Sequence, residues 1–198
     1  RGACERLEEM IERMDQTVKA VRGAGGQIVH APSDTMDFYA ESPARKRAIE
    51  TPQVELPPDI ERADPPLPID DSDQGSDTGE TETHKAWHRQ HAAIAIDEEW
   101  DIITDKGTEV YSYLQHRGIE HLLILGVHSN MCVLHRTFAI KQMVRWGVDV
   151  ALIRDLTDAM YNPAMPPYVS HAQGTGLVIE FIEKFWCPSV ESGDILGA

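Results

Sequence analysis

Cysteine is scarce in this chain: Cys4, Cys132 and Cys187 are the only three in 198 residues. Their number is odd, their spacing is wide and no CxxC pair occurs, so a disulfide framework of the kind small secreted domains use is excluded and reduced thiols are expected. Positive charge is also in short supply. Eighteen Lys and Arg stand against 33 Asp and Glu, a formal net charge of −15. Sequence-independent binding to nucleic acid or an anionic membrane needs a basic face that displaces counterions, so neither is an expected partner. Long apolar runs are missing as well: nothing approaches the roughly 20 residues of a membrane-spanning helix, and no basic, apolar, small-residue leader opens the chain. A soluble, cytoplasmic protein is expected.

What is present is an ordinary 41% of hydrophobic residues, enough at this length for one domain, residues 1–198, with a sizeable core. Leu7, Met10, Ile11, Met14, Val18 and Val21 recur at three- and four-residue steps, which predicts a helix that "GAGG" stops. A strand over Gln27 to Ala31 follows. Between Glu50 and Thr83 the chain turns proline-rich and then acidic, with eleven carboxylates against the single Arg62. Prolines remove backbone donors and like charges repel, so this insertion, at about 50–83, is expected to run over the surface, either as a solvated loop or as a lid over a pocket. Its "DDSDQGSD" run lacks the glutamate that closes a calcium loop.

Strand and helix patterns then alternate. "AAIAI" and "DIIT" precede a helix over Gly107 to His116, the strand "HLLILGV", a helix over Asn130 to Trp146, the strand "VDVALIR" and a last helical stretch over Tyr168 to Phe185 interrupted by "GTG". Strands that are nearly continuous apolar runs, separated by helices, predict a mainly parallel, Rossmann-like open sheet between two helical layers, an α/β/α fold. Ligands in such folds sit at the carboxyl ends of the strands, where Cys132 lies in "GVHSNMCV". At the first turn of the predicted helix, free N–H groups and the helix dipole favour a thiolate and can hold a developing oxyanion. From position alone, Cys132 is equally a small buried hydrophobe.

The segment "GVHSNMCVLHRTFAIKQMVRWGVDVALIRDLTDAMYNP" resembles the isochorismatase-like cysteine hydrolases, which include nicotinamidases and N-carbamoylsarcosine amidases. The glycine-ended strand, the Cys-Val pair and the aspartate closing the next strand carry the likeness, which extends more weakly over most of the chain outside the insertion. "DLTDAMYNP" and "EFIEKFWCP" look like a poorly characterised branch of that superfamily. The resemblance implies a hydrolase, without cofactor or metal, that cleaves an amide or other C–N bond, or an ether-type bond, of a small molecule. Cys132 would be its nucleophile, forming a thioester that water resolves. The main-chain N–H groups of His128 and Cys132 would form the oxyanion hole, next to a cis peptide at Val127–His128. The family's tendency to oligomerise implies a homo-oligomer, with Trp186 and the helix before it as a candidate contact.

The family triad is Asp-Lys-Cys, with the aspartate at the end of a first strand that this chain does not show. That aspartate is expected either upstream of Arg1 or absent; Asp34 and Asp37 follow the second strand instead. Lys106 is the candidate lysine and Lys85 a weaker one. If both partners are missing, the chain is a catalytically silent binding or assembly module. A third reading comes from "HKAWHRQH", where His84, His88 and His91 at i, i+4 and i+7 would align on a helix with zinc-compatible spacing. Trp87 beside them, and Tyr161 and Asn162 in "MYNP", are candidate pocket residues. His128 and His135 flank Cys132 and are candidates to polarise it, or are surface histidines. Asp155 is expected to end its strand and cap the next turn.

Overall fold

A computed structural model describes residues 2–75 and 87–197. Helix α1 (Ala3–Gly23) lays Ile11 and Met14 against Ile153 and Leu156, as its apolar periodicity predicts, and stops at the glycine-rich turn. Then come β1 (Val29–His30), a 3₁₀ turn (Met36–Tyr39), α2 (Pro43–Glu50), β2 (Ile102–Ile103) and α3 (Gly107–Arg117). The second half holds β3 (His121–Val127), α4 (Cys132–His135), α5 (Ile140–Arg145), β4 (Asp149–Asp158), α6 (His171–Phe185), β5 (Ser189–Val190) and α7 (Ser192–Leu196).

The class is α/β with parallel strands flanked by helices. In place of one continuous sheet there are two, β1-β2 and β3-β4-β5, each parallel throughout. The outer edge of β2 is closed by α2, whose Arg45 and Arg47 donate to the carbonyls of Ile103 and Asp101. Among the described residues the second edge of β3 has no such cover, and its apolar side chains stay half-buried, with Leu123 42% exposed. The carboxyl ends of the strands nevertheless converge. The amide of Asp34, after β1, donates to Asp105, after β2, at 2.9 Å. The amide of Gly107 donates to Thr137, after β3, at 3.0 Å. A Cβ on Gly107 would sit 1.9 Å from the Thr137 carbonyl oxygen, so only glycine allows this approach.

Several expected elements change. "AAIAI" forms turns, not a strand: Ile94 packs on the α1 cluster and Ile96 on Tyr39. The helix expected from Asn130 to Trp146 breaks at Arg136–Ala139, where the tie between Thr137 and Gly107 overrides helical periodicity. β4 runs to Asp158, so Asp155 lies inside the strand. It does not cap the turn after the strand but accepts from the Ser192 amide and hydroxyl at the start of α7, at 2.7 and 2.5 Å. The "GTG" of α6 does not interrupt it. Gly174 is there to clear Tyr161, whose ring a Cβ would meet at 2.2 Å. Trp186 is buried within its own chain, with the charged ends of Lys141 and Arg145 over its ring at 5.1 and 5.3 Å, and does not present a contact surface.

The described part of the insertion, residues 51–75, forms no helix or strand and runs as a strap held by its own carboxylates. Asp64 takes the buried Lys141 at 2.6 Å, Asp59 takes Gln142 at 3.1 Å, and the Ile60 amide donates to the Arg145 carbonyl. Farther along, Asp71 accepts from Asn130 and Asp73 from Asn162, each at 2.8 Å. No described helix is long and apolar enough to cross a membrane.

Candidate active site

The glycine that ends β3 shapes the turn before Cys132. Gly126 has φ 125°, a conformation that disfavours any side chain, and between Ile124 and Gly126 the register against β4 slips: Ile124 faces Leu152, whereas Gly126 faces Thr157. The slip brings Asp158 level with Val127. The Val127–His128 peptide is cis, as the resemblance implied. Ser129 then donates to the Asp158 carbonyl at 2.8 Å, and Met131 and Val133 both donate to the His128 carbonyl. Among the described residues, these bonds leave the amides of His128 and Cys132 out of the turn's network. Asn130, 2% exposed, locks the turn from below, bonding Asp71 and both the carbonyl and the amide of Met160.

Cys132 is half-buried at the first position of α4. With four residues, α4 is one turn, too short to bring the dipole that a long helix offers at its start. A side chain supplies positive charge instead. The guanidinium of Arg136, one turn on, is bonded to Asp34, and Asp34 first, then the nearby Cys132 thiol, push Arg136 above its ordinary value. Its Nη2 lies 2.7 Å from Asp34 Oδ2 and its Nη1 3.5 Å from Oδ1.

A second charged group stands behind the turn, at the end of β4. Asp158 accepts from Arg6 Nε and pairs with His171 Nε2, both at 2.8 Å, and from Thr175 at 3.1 Å. Burial pushes the Asp158 carboxyl up, but the bonds from His171 and Arg6 outweigh it and hold the group below the usual carboxylate range; the bond to Asp158 in turn raises His171. Burial keeps the neighbouring His128 below its ordinary value, against the pull of Asp158. His135 is exposed.

The other candidates are dispersed. Lys106, 61% exposed, pairs with Glu109 at 3.5 Å, and no described hydrogen bond joins it to Cys132. Asp37 is exposed, while Asp34 proves to be part of the site. Trp87 donates to the Ser33 carbonyl at 3.1 Å, one residue from Asp34, and is 48% exposed. Tyr161 is fully buried, its hydroxyl donating to the Met165 carbonyl, which places it in the core and not on a pocket wall. Asn162 serves the strap through Asp73.

His84 and Lys85 lie outside the described residues. His88 and His91 are not on a helix, contrary to the alignment a zinc site required: His88 stacks edge-on to Phe38, and His91 lies 3.4 Å from Glu8. Among the described residues no three His, Cys, Asp or Glu side chains are placed to hold a metal. A cavity of about 330 Å³ lined by Phe38, Tyr39, Arg89, Gln90, His91 and Glu98, among others, does not include Cys132. Sequence reasoning passed over Arg136, Asp158 and His171. Arg136 lies four residues after Cys132, but in extended conformation past the end of α4, so helical spacing did not announce it.

No known family profile matches this sequence, and no curated protein does. Among solved structures, the chain is similar to a cysteine hydrolase from Pseudomonas syringae pv. phaseolicola 1448A. The TM-score is 0.58 and the identity 15%, over 97% of this chain and 80% of that one. At that identity the likeness establishes the fold.

Proposed function

We propose that this chain is a cysteine-dependent hydrolase that cleaves an amide, another C–N bond or an ether-type bond of a small molecule. The observation that carries the reading is the thiol of Cys132, half-buried at the start of α4, in a turn that among the described residues leaves the backbone amides of His128 and Cys132 unused. In an amide substrate the Cys132 sulfur would bond to the carbonyl carbon while the amides of His128 and Cys132 receive the charge on oxygen. The amine would leave with a proton, and water would cleave the thioester, restoring the thiol. The fold shared with a cysteine hydrolase supports this.

Alkylation with iodoacetamide, followed by mass spectrometric location of the adducts, tests it. Cys132 is expected to react first. Cys187 serves as an internal reference, because burial pushes its thiol up to about 12. If Cys132 reacts no faster than the exposed Cys4, nucleophilic catalysis is not the function of the turn.

One observation favours a second reading, a catalytically silent module. No described carboxylate or lysine is bonded to Cys132, and Lys106 is engaged by Glu109. A chain whose Cys132 alkylates rapidly, yet forms no acyl adduct with any of a panel of small activated amides and esters, would fit that module and not the hydrolase.

A further inference from the structure

We infer that His171 is an imidazolium that fastens the floor of the Cys132 turn to α6, so that losing its proton loosens the turn. The inference does not depend on the hydrolase reading, because the turn has the same anchors in a silent module. The floor is the segment from Asp158 to Tyr161. It carries the turn through the Ser129 amide, which donates to the Asp158 carbonyl at 2.8 Å. Asn130 adds two bonds, donating to the Met160 carbonyl at 3.0 Å and accepting from the Met160 amide at 2.8 Å. From the other side, α6 holds the same segment. His171 Nε2 meets Asp158 Oδ1 at 2.8 Å, His171 Nδ1 meets the Tyr161 carbonyl at 2.9 Å, and the Thr175 hydroxyl accepts from the Ala159 amide at 3.3 Å.

The charge on His171 follows from its partners. A carbonyl oxygen only accepts, so Nδ1 carries a proton. Nε2 faces a carboxyl oxygen, which leaves two arrangements: this nitrogen is protonated as well, or Asp158 is a neutral acid that donates to it. The other bonds of the carboxyl decide between them. Arg6 Nε donates to Oδ2 at 2.8 Å, and the Thr175 hydroxyl donates to Oδ1 at 3.1 Å. A guanidinium in contact favours the carboxylate over the acid. Both ring nitrogens of His171 therefore donate, which only the imidazolium can do. In keeping with this, the bond to Asp158 raises His171 above its ordinary value, with burial opposing it. The charged and titratable groups around it, among the described residues, are Asp158 of β4, Arg6 of α1 and His128 of the turn.

The charge does nothing for α6 itself. His171 is the first residue of that helix, and Ser170 already caps it, accepting from the Gln173 amide while Gln173 accepts from the Ser170 amide at 3.0 Å. A cation at the start of a helix is opposed by the dipole, whereas a carboxylate there is favoured. The imidazolium is thus placed for Asp158 and the Tyr161 carbonyl. Once neutral, its ring donates from one nitrogen only and gives up one of the two. A group raised in the folded state contributes stability that is full below its unfolded value, near pH 6.5, and is lost as pH climbs through the folded value. The fastening is therefore tight in mild acid and slackens toward alkaline pH.

NMR of the imidazole nitrogens and their protons, assigned by comparison with His171→Gln, reads the charge in the parent. The titration midpoint of His171 is expected above about 6.5, and it should move down in Asp158→Asn. Amide hydrogen exchange at pH about 6 reads the fastening. His171→Gln should speed exchange at Ser129 and Met160 at least about tenfold relative to Leu152, whose amide, within β4, donates to the Pro188 carbonyl. In urea unfolding, the gap in midpoint between parent and His171→Gln should be widest near pH about 6 and shrink toward about 9. A parent midpoint at or below about 6.5, or one that Asp158→Asn leaves unmoved, overturns the inference. So does a urea gap that is equal at every pH, or exchange accelerated equally at all three amides. The imidazole titration is made on the parent and decides the charge even where a variant fails to fold. Iodoacetamide labelling of Cys132 against Cys4 tests the hydrolase reading separately, and a slow Cys132 beside a charged His171 removes that reading alone.

Discussion

Replacing Asp101 by Asn tests what joins the β1-β2 sheet to α1. Asp101 is fully buried just before β2. Its carboxylate accepts from Arg22 Nε and Nη2 at 3.0 and 2.5 Å, from the Asp97 amide at 2.8 Å, and pairs with His30 Nε2 at 2.9 Å. Burial alone would raise this carboxyl, but the bonds from His30, Arg22 and the Asp97 amide overcome it and bring it down from 3.8 to about 2. A group depressed in the folded state contributes stability above its unfolded value and loses it as pH falls through the folded one. The contribution is therefore full above pH about 5, at roughly 2 kcal/mol, with about half of it left at pH 3 and little at pH 2. Asn cannot carry the charge and turns an amide toward donors. Urea unfolding of parent and Asp101→Asn at pH 7 and pH 3 should show the variant destabilised at both, with a gap about 1 kcal/mol smaller at pH 3. The steric part of the substitution does not depend on pH. A gap that is the same at both values would refute the electrostatic account and leave only packing.

Gly174→Ala should lower the unfolding free energy by about 1 to 3 kcal/mol, seen as a drop in Tm, because its Cβ would lie 2.2 Å from the ring of Tyr161, which is buried and held by its hydroxyl. An unchanged Tm would mean that the ring can yield. Hydrogen exchange by NMR should separate neighbouring amides of β3. The Asp149 amide donates to the Glu120 carbonyl, so in a parallel ladder the amides of Leu122 and Ile124 face β4 and that of Leu123 faces the uncovered edge. Leu123 is expected to exchange at least about tenfold faster than both. Equal protection of all three would show that the edge is covered.

The class of fold was legible because it rests on hydrophobic periodicity, which survives in a single sequence. The patterns of α1, α3 and β3 each correspond to an element with nearly the expected bounds. Errors fell where a distant contact decides the local outcome. Nothing near Thr137 announces that Gly107, thirty residues earlier, will draw it out of a helix, and nothing in "AAIAI" shows that its isoleucines serve two different clusters. The reach of β4 to Asp158 was hidden for the same reason, since its last residues are held by Arg6, His171 and Thr175 from α1 and α6. In the site, Cys132 was visible through its flanking turn. The neighbouring Arg136 was not, because a lysine after β2 and the dipole of a long helix were the expected sources of positive charge.

The acidity of the chain makes that missing partner matter. The formal net charge is −15, and Asp34, Asp71, Asp105 and Asp158 lie around the turn, so its surroundings are rich in carboxylates. Charges farther away than about 8 Å are screened at physiological salt, so the balance is set by groups in contact. Most nearby cations are already matched: Arg6 by Asp158, Lys141 by Asp64 and Lys106 by Glu109. Arg136 is matched as well, by Asp34 at 2.7 Å. A one-turn helix provides little dipole, and the side chain released by the end of that turn is that of Arg136. The same tie of Thr137 to Gly107 that shortens the helix sets the direction in which Arg136 leaves it.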